Sequence, residues 1–227
     1  MTYQMSIVIP VLNEAGQLPA KLHALQGLRD RCQLLLVDGG SHDDSPEMAK
    51  PLVDKVILSS RGRATQMNAG ALQADAEILL FLHADTRLPE NGIDLISQAI
   101  AEGFHWGRFD VAFDTPNPIF KLIAFMMNQR SRLTGIATGD QALFMTLPAF
   151  AAVGGFPQIA LMEDIAVSEK LKKLGKPCCL KAKVLTSARR WQQYGLFKTI
   201  LLMWWLRLAY FFGADPEDLA MRYYRRR

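Results

Sequence analysis

Polar and charged side chains follow four consecutive apolar runs of the sequence, at the point where each run ends. The four segments are Asn13-Glu14, Asp38-Gly39-Gly40-Ser41, Arg61-Gly62-Arg63 and His83-Ala84-Asp85. If the runs are parallel strands, their carboxyl ends meet at one edge of a sheet, which is where open α/β sheets bind their ligands. The four segments therefore predict a single crevice that contains carboxylates, guanidinium groups and an imidazole.

Two of these segments have chemistry that suits a nucleotide. Asp38 places a carboxylate before two glycines, so the backbone can turn sharply while the carboxylate accepts hydrogen bonds from a base or a ribose. Arg61 and Arg63 lie at a predicted helix start, where the guanidinium groups and the helix N-terminus both favour a phosphate. Two simpler interpretations stay open: a turn in which Ser41 or Asp43 caps the next helix, and a pair of solvated arginines.

His83 and Asp85 end the fourth apolar run with two groups that can bind a metal ion. Alternate side chains of an extended segment point the same way, so both groups can approach one ion or one ligand. Phosphate oxygens and water would complete a site for Mg(II) or Mn(II). The alternatives are a supporting role for His83 and a loop cap by Asp85.

Glu163 and Asp164 open a predicted helix over Met162–Leu174 and are candidates for a general base. Negative charge at a helix N-terminus is favourable to the helix dipole and keeps a carboxylate ionised, as deprotonation of an alcohol requires. Acids at helix starts are also common for purely structural reasons. Further along, Arg189-Arg190-Trp191 is either a cationic group beside a leaving phosphate or a solvated basic turn with a buried Trp.

Short aliphatic runs alternate with helical patterns through the first hundred residues, which is typical of βαβ units and a parallel sheet. The predicted strands are Ser6–Val11, Leu34–Val37, Val53–Leu58 and Ile78–Leu82, and the predicted helices are Ala15–Leu28, Asp44–Lys50, Arg63–Ala74 and Pro89–Ala101. The runs are continuously apolar, as expected for strands that helices cover on both faces. We therefore predict an α/β fold.

The pattern changes after Phe104, where a mixed α+β extension is expected. Its predicted strands are Trp106–Phe113, Ala142–Thr146 and Cys179–Leu185, and its predicted helices are Ile119–Met127, Met162–Leu174 and Tyr194–Phe212. The length of 227 residues, without a linker or a repeat, fits one domain.

Charge and cysteine content exclude several functional classes. The net charge of +4 comes largely from four arginines in the last six residues, so the body is near neutral and lacks the broad basic face of nucleic-acid-binding proteins. Three cysteines without a CxxC pair suit a reducing cytoplasm, and neither an export signal nor a spanning helix is predicted. Base rates favour packing of the Tyr194–Phe212 helix on its own domain or in a homodimer, and contact with an anionic membrane surface is the alternative.

In this order, the motifs resemble the family 2 inverting glycosyltransferases of GT-A fold. The resemblance covers about residues 5–195 and rests on Ile7-Val8-Ile9-Pro10 with Asn13-Glu14, Val37-Asp38-Gly39-Gly40-Ser41, Gly62-Arg63-Ala64 with Gln66-Met67-Asn68 and Gly70, His83-Ala84-Asp85-Thr86, and Glu163-Asp164. It implies a mostly parallel, Rossmann-like central sheet flanked by helices, with a C-terminal helical extension. The short chain, His-Ala-Asp, Gly139-Asp140-Gln141 and Arg-Arg-Trp are also similar to a compact bacterial subgroup often labelled as associated with arsenosugar biosynthesis.

The resemblance implies metal-dependent, inverting transfer of one sugar from a nucleotide diphosphate sugar, expected to be a UDP-sugar, to an acceptor hydroxyl. The implied catalytic residues are Asp164, as general base, and Glu163. The implied nucleotide-sugar residues are Pro10, Glu14, Asp38, Arg61, Arg63, Asp85 and Arg190. The implied acceptor residues are Gly139, Asp140, Gln141 and Trp191, and the implied ligands of Mn(II) or Mg(II) are Asp85 and His83.

The chain departs from the family pattern at two positions. His83 stands where the family has the first acid of its Asp-x-Asp motif, which leaves metal affinity and metal choice open. This substitution also motivates the alternative function, a nucleotide-sugar-binding or scaffold module without turnover. Ser187 stands where processive polymer synthases have the Gln of Gln-x-x-Arg-Trp, and single transfer is therefore favoured over polymer synthesis.

The resemblance divides the expected single domain, residues 1–227, into three parts. Residues 1–103 are the nucleotide-sugar-binding half, 104–192 the acceptor and catalytic half, and 193–227 amphipathic helices with a basic tail. The expected acceptor is either lipid-linked or a small molecule, and no nucleic acid is expected as a partner. The expected location is the cytoplasm, with peripheral contact at the inner face of the membrane.

Overall fold

A computed structural model of the chain describes residues 3–224, apart from the side chains of Arg190 and Gln192. Within this part of the chain there are eight strands and ten α-helices. The strands are β1 (Met5–Val11), β2 (Cys32–Asp38), β3 (Lys55–Leu58), β4 (Ile78–Phe81), β5 (Thr86–Arg87), β6 (Trp106–Phe113), β7 (Leu143–Thr146) and β8 (Cys178–Thr186). The helices are α1 (Leu18–His23), α2 (Ser45–Ala49), α3 (Arg63–Ala71), α4 (Gly92–Ala101), α5 (Pro118–Thr134), α6 (Leu147–Ala152), α7 (Glu163–Leu171), α8 (Arg189–Tyr194), α9 (Leu196–Phe211) and α10 (Pro216–Tyr224).

All eight strands lie in one sheet, in the order β3-β2-β1-β4-β7-β6-β8-β5. The first four are parallel, which confirms the βαβ prediction, whereas β7 is antiparallel to both β4 and β6. Because β4 and β7 run in opposite directions, the end of β4 pairs with the beginning of β7, Phe81 with Leu143. The loop after β4 and the loop before β7 therefore meet at the same edge of the sheet.

The central strands are buried on both faces. In β1, Met5, Ile7 and Ile9 belong to one apolar cluster and Val8 belongs to another on the opposite side of the sheet. Every residue of β2 is buried. This confirms the inference from the continuously apolar runs, because alternate side chains of each strand need an apolar partner on both sides.

Helix α3 packs against β1 and β2 at very short range. A Cβ atom on Gly70 would overlap Val8 Cγ1 and lie 2.9 Å from Val37 Cγ2. Near the start of the same helix, the buried Gln66 side chain donates from Nε2 to Val11 O and Val37 O, both at 2.8 Å. These contacts fix the helix start that carries Arg63.

Several helix boundaries differ from the sequence prediction, and local residues explain why. Pro19 lies in the first turn of α1, so this helix begins at Leu18 instead of Ala15. Helix α5 continues beyond Met127 to Thr134 and ends at Gly135, whose φ of 69° is left-handed.

The predicted Tyr194–Phe212 helix is present as α9, which begins two residues later than predicted, at Leu196, because Gly195 has a φ of 86°. The strand β5 and the helices α6, α8 and α10 were not predicted. Among residues 3–224, no helix has the length and hydropathy needed to cross a membrane.

Candidate active site

A cavity of 470 Å³ opens where the end of β4 meets the beginning of β7. The charged side chains and the imidazole in its lining come from well-separated regions of the chain: Arg63, His83, Asp85, Arg130, Asp140, Glu163, Asp164 and Arg207. Much of the remaining lining is apolar and comes from α5 and α9. The structure therefore brings the predicted base, the predicted metal ligands and one predicted phosphate-binding arginine into one cavity.

Asp164 is held at the cavity by two backbone hydrogen bonds. Gly139 N donates to Oδ2 at 2.9 Å, and Ile165 N donates to Oδ1 at 2.8 Å. The preceding Met162 has a φ of 70°, a left-handed conformation that is uncommon for a side chain of this size and starts α7 at Glu163. Each carboxylate oxygen retains a lone pair, so Asp164 can accept a proton from a group bound in the cavity.

Glu163 is buried, in contrast to the partly exposed Asp164. Burial, and next the charge of Asp164, raise the pKa of Glu163 to about 7, against the opposing effect of Arg63. Glu163 therefore gains its proton near neutral pH, which keeps this pair of adjacent carboxyl groups from carrying two full charges.

His83 lies directly against the loop before β7. A Cβ atom on Gly139 would be 2.6 Å from His83 Nε2, so a glycine is required at this contact. Burial and the nearby Arg63 guanidinium lower the pKa of His83 to about 3, against the opposing charge of Asp140. The imidazole is therefore neutral at physiological pH and keeps a nitrogen lone pair.

The two arginines beside Gly62 have different surroundings. Arg63 lines the cavity, where Glu163, Asp164 and Asp85 contribute to raising the pKa of its guanidinium in spite of burial. Arg61 is exposed, and its Cζ atom lies 5.9 Å from the centroid of the Tyr224 ring. The predicted phosphate-binding pair is therefore split, and Arg61 does not line the cavity.

The predicted nucleotide residues of the first two loops lie outside the cavity lining. Pro10 is in β1, and Glu14 Oε2 lies 3.5 Å from Arg189 Nη2. The Asp38 carboxylate is 2% exposed and accepts hydrogen bonds from Gly40 N and from the backbone and hydroxyl of Ser41. The carboxylate thus organises its own turn, and its contact with a nucleotide stays a prediction.

Hydrogen bonds join the loop after β1 to the loop after β2. Asn13 N donates to Ser41 Oγ and His42 N donates to Asn13 Oδ1, both at 2.8 Å. Asp43 accepts from Ala15 N and from the hydroxyl and backbone N–H of Ser45, the first residue of α2. Asp43 therefore holds the first residue of α2, but the capping prediction is wrong in its detail, because the N-cap residue is Asp44 and no described side chain caps the helix.

One predicted acceptor residue needs correction. Gln141 is 0% exposed, and its Oε1 accepts hydrogen bonds from the backbone and hydroxyl of Thr138. It stabilises the turn that presents Gly139 and Asp140 instead of contacting an acceptor. The sequence could not distinguish these roles, because a Gln at a strand start suits both.

Trp191 lines the cavity and is also packed in an aromatic cluster. Its ring lies edge-on to Phe113, with centroids 5.8 Å apart, and to Phe120, at 6.4 Å. The buried-Trp interpretation and the acceptor-site prediction are therefore compatible. The predicted Arg190 side chain lies outside the described residues.

Sequence reasoning missed Arg130 and Arg207, which lie in α5 and α9 and line the cavity. Burial, and next the charge of Arg207, lower the pKa of Arg130 to about 10, against Asp140 and Asp164. Arg130 follows Ile123 and Met127 at helical spacing, so a cation on the apolar face of a helix was the available signal.

Comparison with known proteins agrees with this geometry. The family model "Glycosyl transferase family 2" matches residues 6–153. The chain is 32% identical over 112 residues to an undecaprenyl-phosphate 4-deoxy-4-formamido-L-arabinose transferase of Pseudomonas savastanoi pv. phaseolicola, covering 44% of this chain and 33% of that protein. It is 30% identical over 151 residues to the protein of the same name in Klebsiella pneumoniae (strain 342), covering 60% and 46%. The chain thus spans about a third to a half of the length of these relatives.

Solved glycosyltransferases share the fold. A mannosyltransferase from Pyrobaculum calidifontis in complex with GDP-Man and Mn2+ superposes with a TM-score of 0.60 at 20% identity, covering 82% of this chain and 57% of that one. Glucosyl-3-phosphoglycerate synthase from Mycobacterium tuberculosis, in complex with Mg2+ and UDP, gives 0.60 at 15% identity, covering 81% and 70%. The arsenosugar-associated subgroup stays a prediction. Since the family model covers well over half of its residues, the chain belongs to glycosyl transferase family 2 and has the GT-A fold.

Proposed function

We propose that this protein transfers one sugar from a nucleotide diphosphate sugar to an acceptor hydroxyl by a single inverting displacement. The main support is the position of Asp164, a carboxylate held by two backbone N–H groups in the same cavity as Arg63, His83 and Asp85. A base, a phosphate-binding cation and two potential metal ligands around one cavity are the groups that such a reaction needs.

In the proposed reaction, Asp164 takes the proton of the acceptor hydroxyl while its oxygen forms a bond to the anomeric carbon of the donor. The bond between that carbon and the diphosphate oxygen breaks, and the nucleoside diphosphate leaves with the electron pair. Arg63, at the N-terminus of α3, stabilises the charge on the leaving group. The donor we propose is a UDP-sugar, for which the UDP complex of a protein of similar fold is indirect support.

A divalent metal ion fits the donor set of His83 and Asp85. The imidazole is neutral, because its pKa is lowered, and the Asp85 side chain is partly exposed. Among residues 3–224 no cluster of three or more His, Cys, Asp or Glu side chains could bind a metal ion, so substrate oxygens and water would complete the coordination. Mg(II) prefers oxygen ligands, and one imidazole therefore favours Mn(II). Such an ion would neutralise charge on the leaving diphosphate.

The acceptor we propose is lipid-linked. We also propose that this protein docks peripherally on the inner face of the membrane. Apolar side chains of α5 and α9 line the cavity, and the same helices carry large exposed apolar residues. The exposed residues are Ile119, Leu122, Phe125, Met126 and Leu133 of α5, and Phe197, Leu201, Trp204, Trp205, Leu208 and Phe211 of α9. The names of the curated relatives, which include undecaprenyl phosphate, agree with this choice.

Release of UDP tests the proposal even while the acceptor is unidentified. The full chain is incubated with a panel of UDP-sugars and Mn(II), with geraniol or water as the acceptor, since both supply the hydroxyl that the proposed step requires. We expect UDP release from one donor, and a product whose anomeric configuration is inverted. If the protein binds UDP but releases none from any UDP-sugar, the alternative would be favoured. This alternative is a nucleotide-sugar-binding module of the same fold, in which His83 replaces the first acid of the Asp-x-Asp motif.

A further inference from the structure

We propose that Arg130, together with Arg207, binds a phosphate monoester on the acceptor, and that the acceptor is a phosphorylated amphiphile. The inference rests on the proposed function, because it takes the cavity that contains Asp164 as the acceptor site. It goes further by assigning a binding role to two residues of α5 and α9 and a chemical class to the acceptor.

The first argument is the bonding state of Arg130. Its Nε and Nη2 atoms are buried and have no hydrogen-bond partner among the described residues. These two nitrogens form one edge of the guanidinium group, the edge that binds two oxygens of a phosphate or carboxylate side by side. Burial of such donors without partners is costly, so the arrangement is better suited to the bound state than to the empty one.

Other arginines of the same region have hydrogen-bond partners. Arg108, which is 0% exposed, donates to Ser131 Oγ, to Asn128 O and to the Asp110 carboxylate. Arg132, two residues after Arg130, lies 2.7 Å from Asp110 Oδ2. The chain therefore supplies partners to neighbouring guanidinium groups, and the lack of one at Arg130 is specific to the cavity.

The second argument is the local charge. Arg207 lines the same cavity and lowers the pKa of Arg130, so two like charges lie near each other. The carboxylates of Asp140 and Asp164 oppose this effect, but neither forms a hydrogen bond with the unpaired edge of Arg130. A phosphate dianion between the two guanidinium groups would satisfy that edge and remove the repulsion.

The third argument is the apolar surface beside the two arginines. Met126 of α5 and Trp204 of α9 both line the cavity, although they are 46% and 59% exposed. The cavity wall therefore continues into the exposed apolar faces of the two helices. A ligand with a phosphate head and a hydrocarbon chain matches both parts, whereas a soluble phosphate ester uses only one.

Calorimetric titration of the full chain with three probes tests the proposal: geranyl phosphate, geraniol and inorganic phosphate. We expect the wild type to bind geranyl phosphate about 10- to 100-fold more tightly than geraniol, the range expected for charge-assisted hydrogen bonds. Arg130→Gln should abolish this preference, and Arg130→Lys should restore part of it, because Lys supplies charge without the planar edge. Lys121→Gln, an exposed cation of α5, is the matched control and should change nothing.

Three results would overturn the proposal. The first is an unchanged preference for geranyl phosphate in Arg130→Gln. The second is a loss of UDP affinity in that variant, which would assign Arg130 to the donor site. The third is wild-type affinity for inorganic phosphate equal to that for geranyl phosphate, which would remove the apolar chain from recognition and point to a soluble phosphate ester.

Two further measurements separate this proposal from a structural role and from the proposed function. Geranyl phosphate should raise the Tm of the wild type and leave that of Arg130→Gln unchanged, and the variant alone should melt no lower than the wild type, because the unpaired edge contributes no hydrogen bond. A structural arginine would instead lower the Tm of the variant. Failure of the wild type to release UDP from any donor would contradict the proposed function and leave the phosphate preference to be measured independently.

Discussion

Glu163 and Asp164 are neighbours in the chain, but their carboxyl groups have different surroundings. Glu163 is buried and has a pKa raised to about 7, whereas Asp164 is partly exposed and accepts two backbone N–H groups. Pairs of acids with different environments are typical of sites in which one acid carries the charge. This difference supports Asp164 as the base and gives Glu163 a role in setting the local charge.

The raised pKa of Glu163 predicts a specific dependence of stability on pH. The folded protein retains this proton at pH values where the unfolded chain, with a pKa of 4.5, has lost it. The free energy of unfolding should therefore fall as pH rises from about 4.5 to about 7 and then level off. Glu163→Gln should remove this decline and be more stable than the wild type at pH 8, by up to about 3 kcal/mol.

Urea denaturation at a series of pH values between 5 and 8 measures the effect. Glu169→Gln, an exposed acid on the same helix, is the control and should leave the pH profile unchanged. If the free energy of unfolding of Glu163→Gln depended on pH in the same way as that of the wild type, the raised pKa of Glu163 would be contradicted.

His83 determines the expected metal preference. His83→Asp gives positions 83 and 85 the two carboxylates of the family's Asp-x-Asp motif. The new side chain is smaller than the imidazole that contacts Gly139. Because Mg(II) prefers oxygen ligands, the difference between the UDP affinities measured with Mn(II) and with Mg(II) should be smaller in the variant than in the wild type. Titration of both proteins with UDP and each metal gives the ratio of affinities, and an equal ratio in both would exclude His83 as a ligand.

At the scale of elements, α3 is the clearest case of a helix that positions the site. Gly70→Ala would force a methyl group into Val8 and Val37, two stiff, buried side chains. We expect a loss of about 1–3 kcal/mol from this overpacking, which exceeds the gain in helix propensity. Chemical denaturation should detect it, whereas Leu72→Ala, at an 80% exposed position just after the helix, should have little effect. Equal or higher stability of Gly70→Ala would show that α3 can move.

The exposed faces of α5 and α9 predict binding to anionic vesicles. Leu201→Ser with Phe211→Ser removes two side chains that are 67% and 80% exposed and do not line the cavity. Sedimentation with vesicles of anionic phospholipid should show less bound protein for this double variant, and Leu72→Ser should match the wild type. Unchanged sedimentation, together with dissociation of a wild-type dimer in the variant, would instead support the homodimer.

The elements that sequence predicted best are those specified locally. The continuously apolar runs of β1, β2 and β4 reveal strands covered on both faces before any tertiary contact is known. The two-residue β5 and the antiparallel pairing of β7 depend on contacts between distant parts of the chain, so no local pattern encodes them. The long apolar run of α9 was likewise predicted, although its start was placed at Tyr194 instead of Leu196, since a helix interior tolerates a residue such as Gly195 at a modest cost.

For the molecule as a whole, the same distinction explains which site residues were found. Asp164, Asp85 and His83 each belong to a motif of two or three adjacent residues that can be recognised locally. The structure brings them together with Arg63. Arg130 and Arg207 belong to helices separated by more than sixty positions in the sequence, and they lie in one cavity only because both helices close it. The proposed base, metal ligands and donor arginine were thus predictable from local motifs, whereas the proposed phosphate-binding pair of Arg130 and Arg207 required the assembled fold.

The identity of the base is the central claim, and the turnover rate of Asp164→Asn tests it most directly. With saturating UDP-sugar and Mn(II), we expect kcat to fall about 10²- to 10⁴-fold, the usual contribution of a general base. UDP affinity and Tm should stay close to those of the wild type. The variant loses only one of the two hydrogen bonds that Gly139 N and Ile165 N donate to Asp164, because the Asn side chain keeps one oxygen. Retention of the wild-type kcat by a folded variant that binds UDP would contradict the mechanism.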